Sequence, residues 1–346
     1  MSIERQGYAE ARLADHEGRA LWQALFRDVQ EQRLIAPSLA RSVVKLLVLS
    51  VLLAAALALG WGASSWLERV AAWGGLALLL AQFAFIGHDA GHGSIARLSV
   101  VNRALGQLAM TLVTGLAFNE WIARHREHHQ YCQDEARDPD MDVAVVVSLT
   151  AHSRTRKGAL GRFMTRYQAV HVWLLSFFFG HSQRYLSQAV VLAHPRRHGQ
   201  DAAMLLLHYG LWFGVPCVLL QVPFSAAVLA YVVPLTLLGP YLAAIFWVNH
   251  IGMPLVRRVE DFSFFEHQVL TSRTILNPPG WNWLFGGLNF QIEHHLFPQV
   301  PSCRLPALQP IVRELFARQR IAYNGMSWGQ AVRMIAAHFR RVARAA

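Results

Sequence analysis

The stretch Gly286-Gly287-Leu288-Asn289-Phe290-Gln291-Ile292-Glu293-His294-His295-Leu296-Phe297-Pro298 sets two adjacent histidines inside an otherwise apolar and aromatic run. Two other clusters answer it: His88-Asp89-Ala90-Gly91-His92 and His125-Arg126-Glu127-His128-His129. On a helix, His88 and His92 stand at i and i+4 and share one face. His125, His128 and His129 stand at i, i+3 and i+4, a spacing that Gln291, His294 and His295 repeat. Three clusters from distant parts of the chain can therefore converge on one imidazole-rich pocket. Imidazole suits iron, copper, nickel and zinc, so nitrogen ligation alone leaves the metal open.

Composition defines the surroundings of such a pocket. Of 346 residues, 54% are hydrophobic and only 15% charged, and the mean hydropathy is +0.26. Soluble domains carry about a quarter charged residues. Apolar runs at 41–61, 70–87, 202–222 and 226–248 approach the ~20 residues needed to cross a bilayer core. The runs at 104–118 and 172–179 are too short to cross, and the first reads as re-entrant or interfacial. Pro216, Pro234 and Pro240 are expected to kink the last two spans, which membrane helices tolerate. The expected fold is thus all-α, a polytopic membrane protein with about four transmembrane helices. The net charge of +11 is almost all arginine, Lys45 and Lys157 being the lysines. In this setting it points to an anionic membrane face rather than to nucleic acid. Cys132, Cys217 and Cys303 form no CxxC pair, so neither a disulfide framework nor a zinc ribbon is expected. Residues 1–41 carry no signal-peptide pattern. Leu21–Phe26 and Leu34–Leu39 read as short amphipathic pieces near the headgroups, or as parts of a partly ordered tail.

An even number of spans puts both termini on one side. The Val222-Pro223-Phe224-Ser225 turn is uncharged, and nearly all arginines lie in the N-terminal tail, the 87–201 section and the C-terminal section. The positive-inside rule makes these regions cytoplasmic, which places all three histidine clusters on one side of the membrane. His88 follows directly on the second span and Asn249-His250 on the fourth. His88, His92, His125, His128, His129, His250, His294 and His295 then supply eight nitrogens, too many for one ion and suited to two. Cys132 and Cys303 are expected to be accessible from the cytoplasm, with Cys217 shielded in the third span.

HDAGH, HREHH and QIEHH, in this order and between these spans, resemble the three histidine boxes of the membrane fatty acid desaturases. Asp138-Pro139-Asp140-Met141-Asp142, Asn249-His250-Ile251-Gly252-Met253-Pro254 and Gly287-Leu288-Asn289-Phe290 are similar to that family as well. The resemblance covers residues 40–325, and Gln291 in place of a first histidine resembles the front-end branch. It implies a cytoplasmic helical cap holding a non-haem di-iron centre, with dioxygen as co-substrate. The implied reaction is introduction of a cis double bond into a fatty acyl chain carried by CoA, a carrier protein or a lipid. Hydroxylase, ketolase and acetylenase chemistry at the same boxes is the alternative. No haem motif, Gly-rich dinucleotide fingerprint or CxxC appears, so an external electron donor is expected, a ferredoxin or a b-type cytochrome with its reductase. The expected division is 1–40 as a cytoplasmic amphipathic segment, 41–325 as the desaturase domain and 326–346 as a basic tail. The expected location is a multi-pass membrane protein, of a bacterial inner membrane, with termini and active site cytoplasmic.

The ligands need acceptors for their second ring nitrogens, and Asp89, Glu127, Asp138, Asp142 and Glu293 are candidates. Asn249 could hold a metal-bound water. His267, near the third cluster, is a lesser candidate for the metal, and His208, within a span, needs only a local partner. Trp281, Trp283, Phe285 and Phe290 read as an aromatic interface belt or, alternatively, as the lining of an acyl tunnel. A metal transporter would place its ligands near the bilayer midplane, whereas these fall at or beyond the ends of the spans.

Overall fold

The computed structural model describes residues 12–141 and 147–344. In chain order they form α1 (Asp15–Glu31), α2 (Leu39–Gly62), α3 (Trp66–Gly91), α4 (Ser99–Gly106), α5 (Phe118–Tyr131), α6 (Ala151–Thr155), α7 (Ala159–Arg166), α8 (Gln168–Leu175) and α9 (Phe179–Ala193). The chain continues with α10 (Gly199–Tyr209), α11 (Phe224–His250), α12 (Phe264–Thr271), α13 (Gln291–Leu296), α14 (Leu305–Arg318) and α15 (Trp328–Arg344). Among the described residues the only strands are β1 (Thr274–Ile275) and β2 (Gly325–Met326), a short parallel pair. The fold is all-α, as the sequence predicts.

Among the described residues four helices are long and apolar enough to cross a membrane: α2, α3, the Gly199–Leu219 segment that begins with α10, and α11. α2, α3 and α11 overrun their apolar runs, and the third span starts before its run and stops short of its end, because a helix ends where its caps and turns end it, not where hydropathy falls. Ser65 starts α3 by accepting the Glu68 N–H, while the Glu68 carboxylate returns to the Ser65 N–H, a reciprocal cap. At its other end α3 runs past the apolar residues to Gly91, so His88 sits in its last turn and His92 at its C-cap. Around Pro216 the helix widens into π-helical turns over Gly210–Leu219. Proline lacks an N–H and crowds the carbonyl one turn back, which a wider turn relieves. By contrast α11 runs as one helix through Pro234 and Pro240.

The chain divides into two compact units. The span unit comprises Pro37–Ala123 and Ser176–Ala243. In it the run at 104–118 forms the end of α4 and a π-helical stretch, Gln107–Thr114, closed by Gly115 at φ 72°. This stretch packs so close to α3 that a Cβ on Gly87 would lie 2.8 Å from the Met110 side chain. His208 is held by the Leu112 carbonyl and the Tyr231 hydroxyl, both at 2.8 Å, so its place inside a span has a local explanation.

The histidine unit comprises the described residues of Met1–Ala36, Arg124–Leu175 and Ala244–Ala346. Its core joins α1, α12, α13 and α14 through Leu25, Val29, Phe265, Leu296, Phe297, Leu308, Val312 and Phe316. The Leu21–Phe26 piece, expected near the headgroups, therefore belongs to a core helix. Trp22 stacks on Phe297 at 6.0 Å and donates to the Leu296 carbonyl. The reason is burial: the apolar face of α1 is completed by α13 and α14, far along the chain, and no local pattern names that partner. On another side of this unit Ala331, Ile335 and Phe339 of α15 pack with Val172 of α8 and Val248 of α11.

Candidate metal centre

The second histidine cluster lies on the C-terminal half of α5. Just beyond that helix the chain reverses at Gln133, whose φ is 62°. Asp134 accepts the N–H groups of Ala136 and Arg137, and Asp138 accepts those of Gln133 and Asp140. This turn brings Asp138 back onto α5, where its Oδ1 accepts His128 Nδ1–H at 3.0 Å. Burial alone would discourage charge on His128, yet Asp138 and Asp140 outweigh it and push its pKa well above the ordinary histidine value. Metal ligation would displace a proton there, because it takes the neutral ring.

His250 ends α11, and its Nδ1 stands 3.0 Å from the Thr271 carbonyl, which can only accept. The proton is therefore on Nδ1, and Nε2 offers its lone pair. Gln291 meets that nitrogen at 2.8 Å through its amide NH2, an orientation set by Asn249, which donates to Gln291 Oε1 at 3.1 Å. Cys132 lies on the other side of His250, its Sγ 3.3 Å from Nδ1. Burial pushes the Cys132 thiol up.

The third cluster depends on α12, capped by Ser263 through the Glu266 N–H. His267 Nε2–H donates to the Cys132 carbonyl at 2.8 Å, so its Nδ1 accepts from Gln268 Nε2 at 3.0 Å. The same amide nitrogen donates to the His129 carbonyl, which leaves Gln268 Oε1 to accept His295 Nδ1–H at 2.8 Å. His295 thus presents Nε2 inward, and that atom is buried without a hydrogen-bond partner. Burial and the neighbouring imidazoles hold His295 well below the ordinary histidine pKa, in the neutral, ligating form. Beside it, His129 Nε2 is 3.2 Å from both His125 Nε2 and His294 Nε2. Gly286 and Gly287, at φ 59° and 80°, make the turn that admits this cluster. A Cβ on Gly287 would fall 2.8 Å from the Ser302 carbonyl oxygen.

Six of the eight expected ligands, His125, His128, His129, His250, His294 and His295, therefore come together in the histidine unit. His88 and His92 lie in the span unit with ring centroids 4.7 Å apart. His128, Cys132, His250 and His295 bring potential ligand atoms within 4.8 Å of one another. The buried, unpartnered Nε2 of His295 and the convergence of imidazoles around it fit a transition-metal ion. The acceptors behind the rings are Asp138, as expected, together with Thr271 and Gln268. Glu293, expected in such a role, is instead occupied by the hydroxyls of Thr274 and Tyr323 at 2.8 and 2.6 Å. Glu127 is exposed, Asp89 Oδ1 is 3.8 Å from His88 Nδ1, and Asp142 lies outside the described residues. Asn249 donates to the Leu288 carbonyl as well as to Gln291, and its Oδ1 is buried without a hydrogen bond. His267 serves Gln268 rather than the centre. Cys132, expected to be accessible, is 0% exposed, because the turn after α5 folds it under α12. Trp281 and Trp283 are exposed, as a belt requires, whereas Phe285 and Phe290 are buried.

A helical protein with membrane-spanning helices and histidine clusters that could hold a metal is the class these features define. A family model described as fatty acid desaturase matches residues 64–327, a range that includes all three histidine clusters, and the chain belongs to that family. It is 30% identical over 274 residues to an acyl-lipid (9-3)-desaturase of Borago officinalis, covering 75% of this chain and 60% of that protein. It is 28% identical over 277 residues to delta(8)-fatty-acid desaturase 2 of Arabidopsis thaliana, covering 74% and 60%. A fatty acid desaturase 2-like protein of Mus musculus is 26% identical over 269 residues, covering 75% and 53%. The chain thus spans about 60% of the length of the first curated relatives it matches. These relatives come from plants and mouse and lend no support to the bacterial inner membrane expected from the sequence.

Proposed function

We propose that the protein is a dioxygen-dependent acyl desaturase. The observation that carries this reading is the set of buried imidazoles whose outer nitrogens are held by Asp138, Thr271 and Gln268. His128, His250 and His295 would serve one iron and His125 and His294 the other, while His88 and His92 remain ligands on the strength of the sequence pattern alone. His129 stands between the two sets. When bound, two irons supply the oxidising power needed to take hydrogen from an unactivated methylene, which offers no acid and no leaving group. The protein's own part is to hold the rings in one tautomer, to exclude water from the buried cluster, and to keep the acyl chain still. The overall balance requires two hydrogens from the substrate, two electrons and two protons, and it reduces dioxygen to two waters. The electrons come from a separate donor, for which an acidic ferredoxin or a small b-type cytochrome suits the chain's basic excess of +11. Both termini and the histidine clusters face the cytoplasm in this reading.

Expression in a host of simple lipid composition, followed by mass spectrometry of its acyl chains, tests the proposal. The expected result is an acyl species lighter by two hydrogens, lost when His294 or His295 is replaced by alanine. A product heavier by one oxygen would assign the site to a hydroxylase instead. In sealed vesicles, labelling of the exposed Cys303 from the non-cytoplasmic face by an impermeant reagent would overturn the topology.

A further inference from the structure

Within the histidine unit, α7 and α8 follow each other with a single residue between them. Gly161, Thr165, Gln168 and Val172 of this pair are buried. The α8 part of that face packs on α15, where Val172 meets Phe339 and Gln168 donates to the Phe339 carbonyl at 3.3 Å. The opposite face carries Leu160, Phe163, Tyr167, Val170 and Leu174 at intervals of three and four residues. These side chains are 72%, 60%, 54%, 72% and 67% exposed. Such spacing builds one continuous apolar stripe along a helix, and among the described residues nothing covers it. At ~1.5 Å per residue the pair is about 25 Å long, short of the ~30 Å hydrocarbon core. It cannot cross a bilayer, but it can lie in the interface. Its polar edge is basic: Arg162 and Arg166 flank the stripe, Arg156 precedes it, all three are exposed, and neither helix contains a carboxylate.

We infer that α7–α8 is an in-plane anchor whose apolar stripe sinks into one leaflet while Arg162 and Arg166 hold anionic lipid headgroups. The combination of an apolar face with a rim of arginine matches an anionic lipid surface. A second copy of this chain would place like-charged rims together.

The test uses the full-length chain carrying Cys217→Ser, Cys303→Ser and Phe163→Cys, labelled at position 163 with an environment-sensitive fluorophore. The protein is reconstituted in phosphatidylcholine vesicles with and without phosphatidylglycerol. Fluorescence should be quenched by shallow lipid-borne quenchers and protected from aqueous iodide. Quenching by brominated phosphatidylglycerol should exceed that by brominated phosphatidylcholine, by up to about fivefold per arginine, the equivalent of about 1 kcal/mol each. Arg162→Gln with Arg166→Gln should bring that ratio towards one while leaving the probe in the lipid. Iodide access in both vesicle types would overturn the inference, as would equal quenching by the two lipids in the arginine-bearing protein. Energy transfer between differently labelled copies would assign the stripe to self-association instead. Phe163 is exposed, so its replacement leaves the core untouched.

Discussion

Replacing Gln268 by alanine asks whether the bonds behind the imidazoles set the affinity of the centre. Gln268 and His295 are each 1% exposed. The amide accepts His295 Nδ1–H at 2.8 Å and donates to the His129 carbonyl at 3.0 Å. Its loss leaves His295 Nδ1–H without its acceptor and His267 Nδ1 without its donor, both buried, each at about 1–3 kcal/mol, so the melting temperature should fall. His295 also loses the contact that fixes its tautomer. Such outer partners typically contribute ~10–100-fold to metal affinity, about 1.4–2.7 kcal/mol. Competition for ferrous ion between detergent-solubilised full-length protein and a chromophoric chelator measures this directly. His267 Nδ1 accepts from Gln268 Nε2 at 3.0 Å, so the double variant His267→Ala/Gln268→Ala should weaken binding by less than the sum of the two single changes. Unchanged affinity in a folded Gln268→Ala protein, or full additivity of the two changes, would refute the reasoning.

Other predictions concern the framework. Gly287→Ala should lower stability by at least about 1–2 kcal/mol for the left-handed backbone alone. Its Cβ would also fall 2.8 Å from the Ser302 carbonyl oxygen, so metal content should fall with stability; an alanine variant with full content and an unchanged melting temperature would contradict this. Burial pushes His338 down to about 4, so the folded chain keeps it neutral while the unfolded chain takes up a proton below its ordinary ~6.5. Its contribution is therefore full above that pH and is lost as the pH falls towards 4. His338→Gln should lose less stability than the parent protein over that window, and parallel melting curves would refute the assignment. In native detergent-solubilised protein Cys303 should react with a thiol reagent at once and the buried Cys132 only on unfolding; equal rates would contradict the described turn after α5.

The parts legible in the sequence are those in which local periodicity and chemistry coincide. Four long apolar runs dictate helices, and HDAGH, HREHH and QIEHH place histidines on shared helical faces whatever lies around them. Asp138 was within reach of the same reasoning, because a carboxylate in a turn directly after α5 can fold back onto it. Gln268 and Thr271 were not. Gln268 closes a Glu-His-Gln run and Thr271 ends the same helix, and their roles come from α12 lying against α5 and α13, a tertiary fact with no periodic trace. The same limit explains Glu293, whose neighbours Thr274 and Tyr323 come from outside its own motif, and α1, whose buried face is completed by residues more than two hundred positions away. The isolated His267 was a visible signal, but it marked the residue behind Gln268 rather than a ligand.

The most direct test of the central claim feeds the protein, with a reducing partner and ¹⁸O-labelled dioxygen, an acyl substrate deuterated at two neighbouring carbons. Mass spectrometry of the product should show both deuteriums lost together from one face, a new double bond, and no labelled oxygen in the chain. A dominant product that retains one deuterium of the pair and carries ¹⁸O would contradict the desaturase reading.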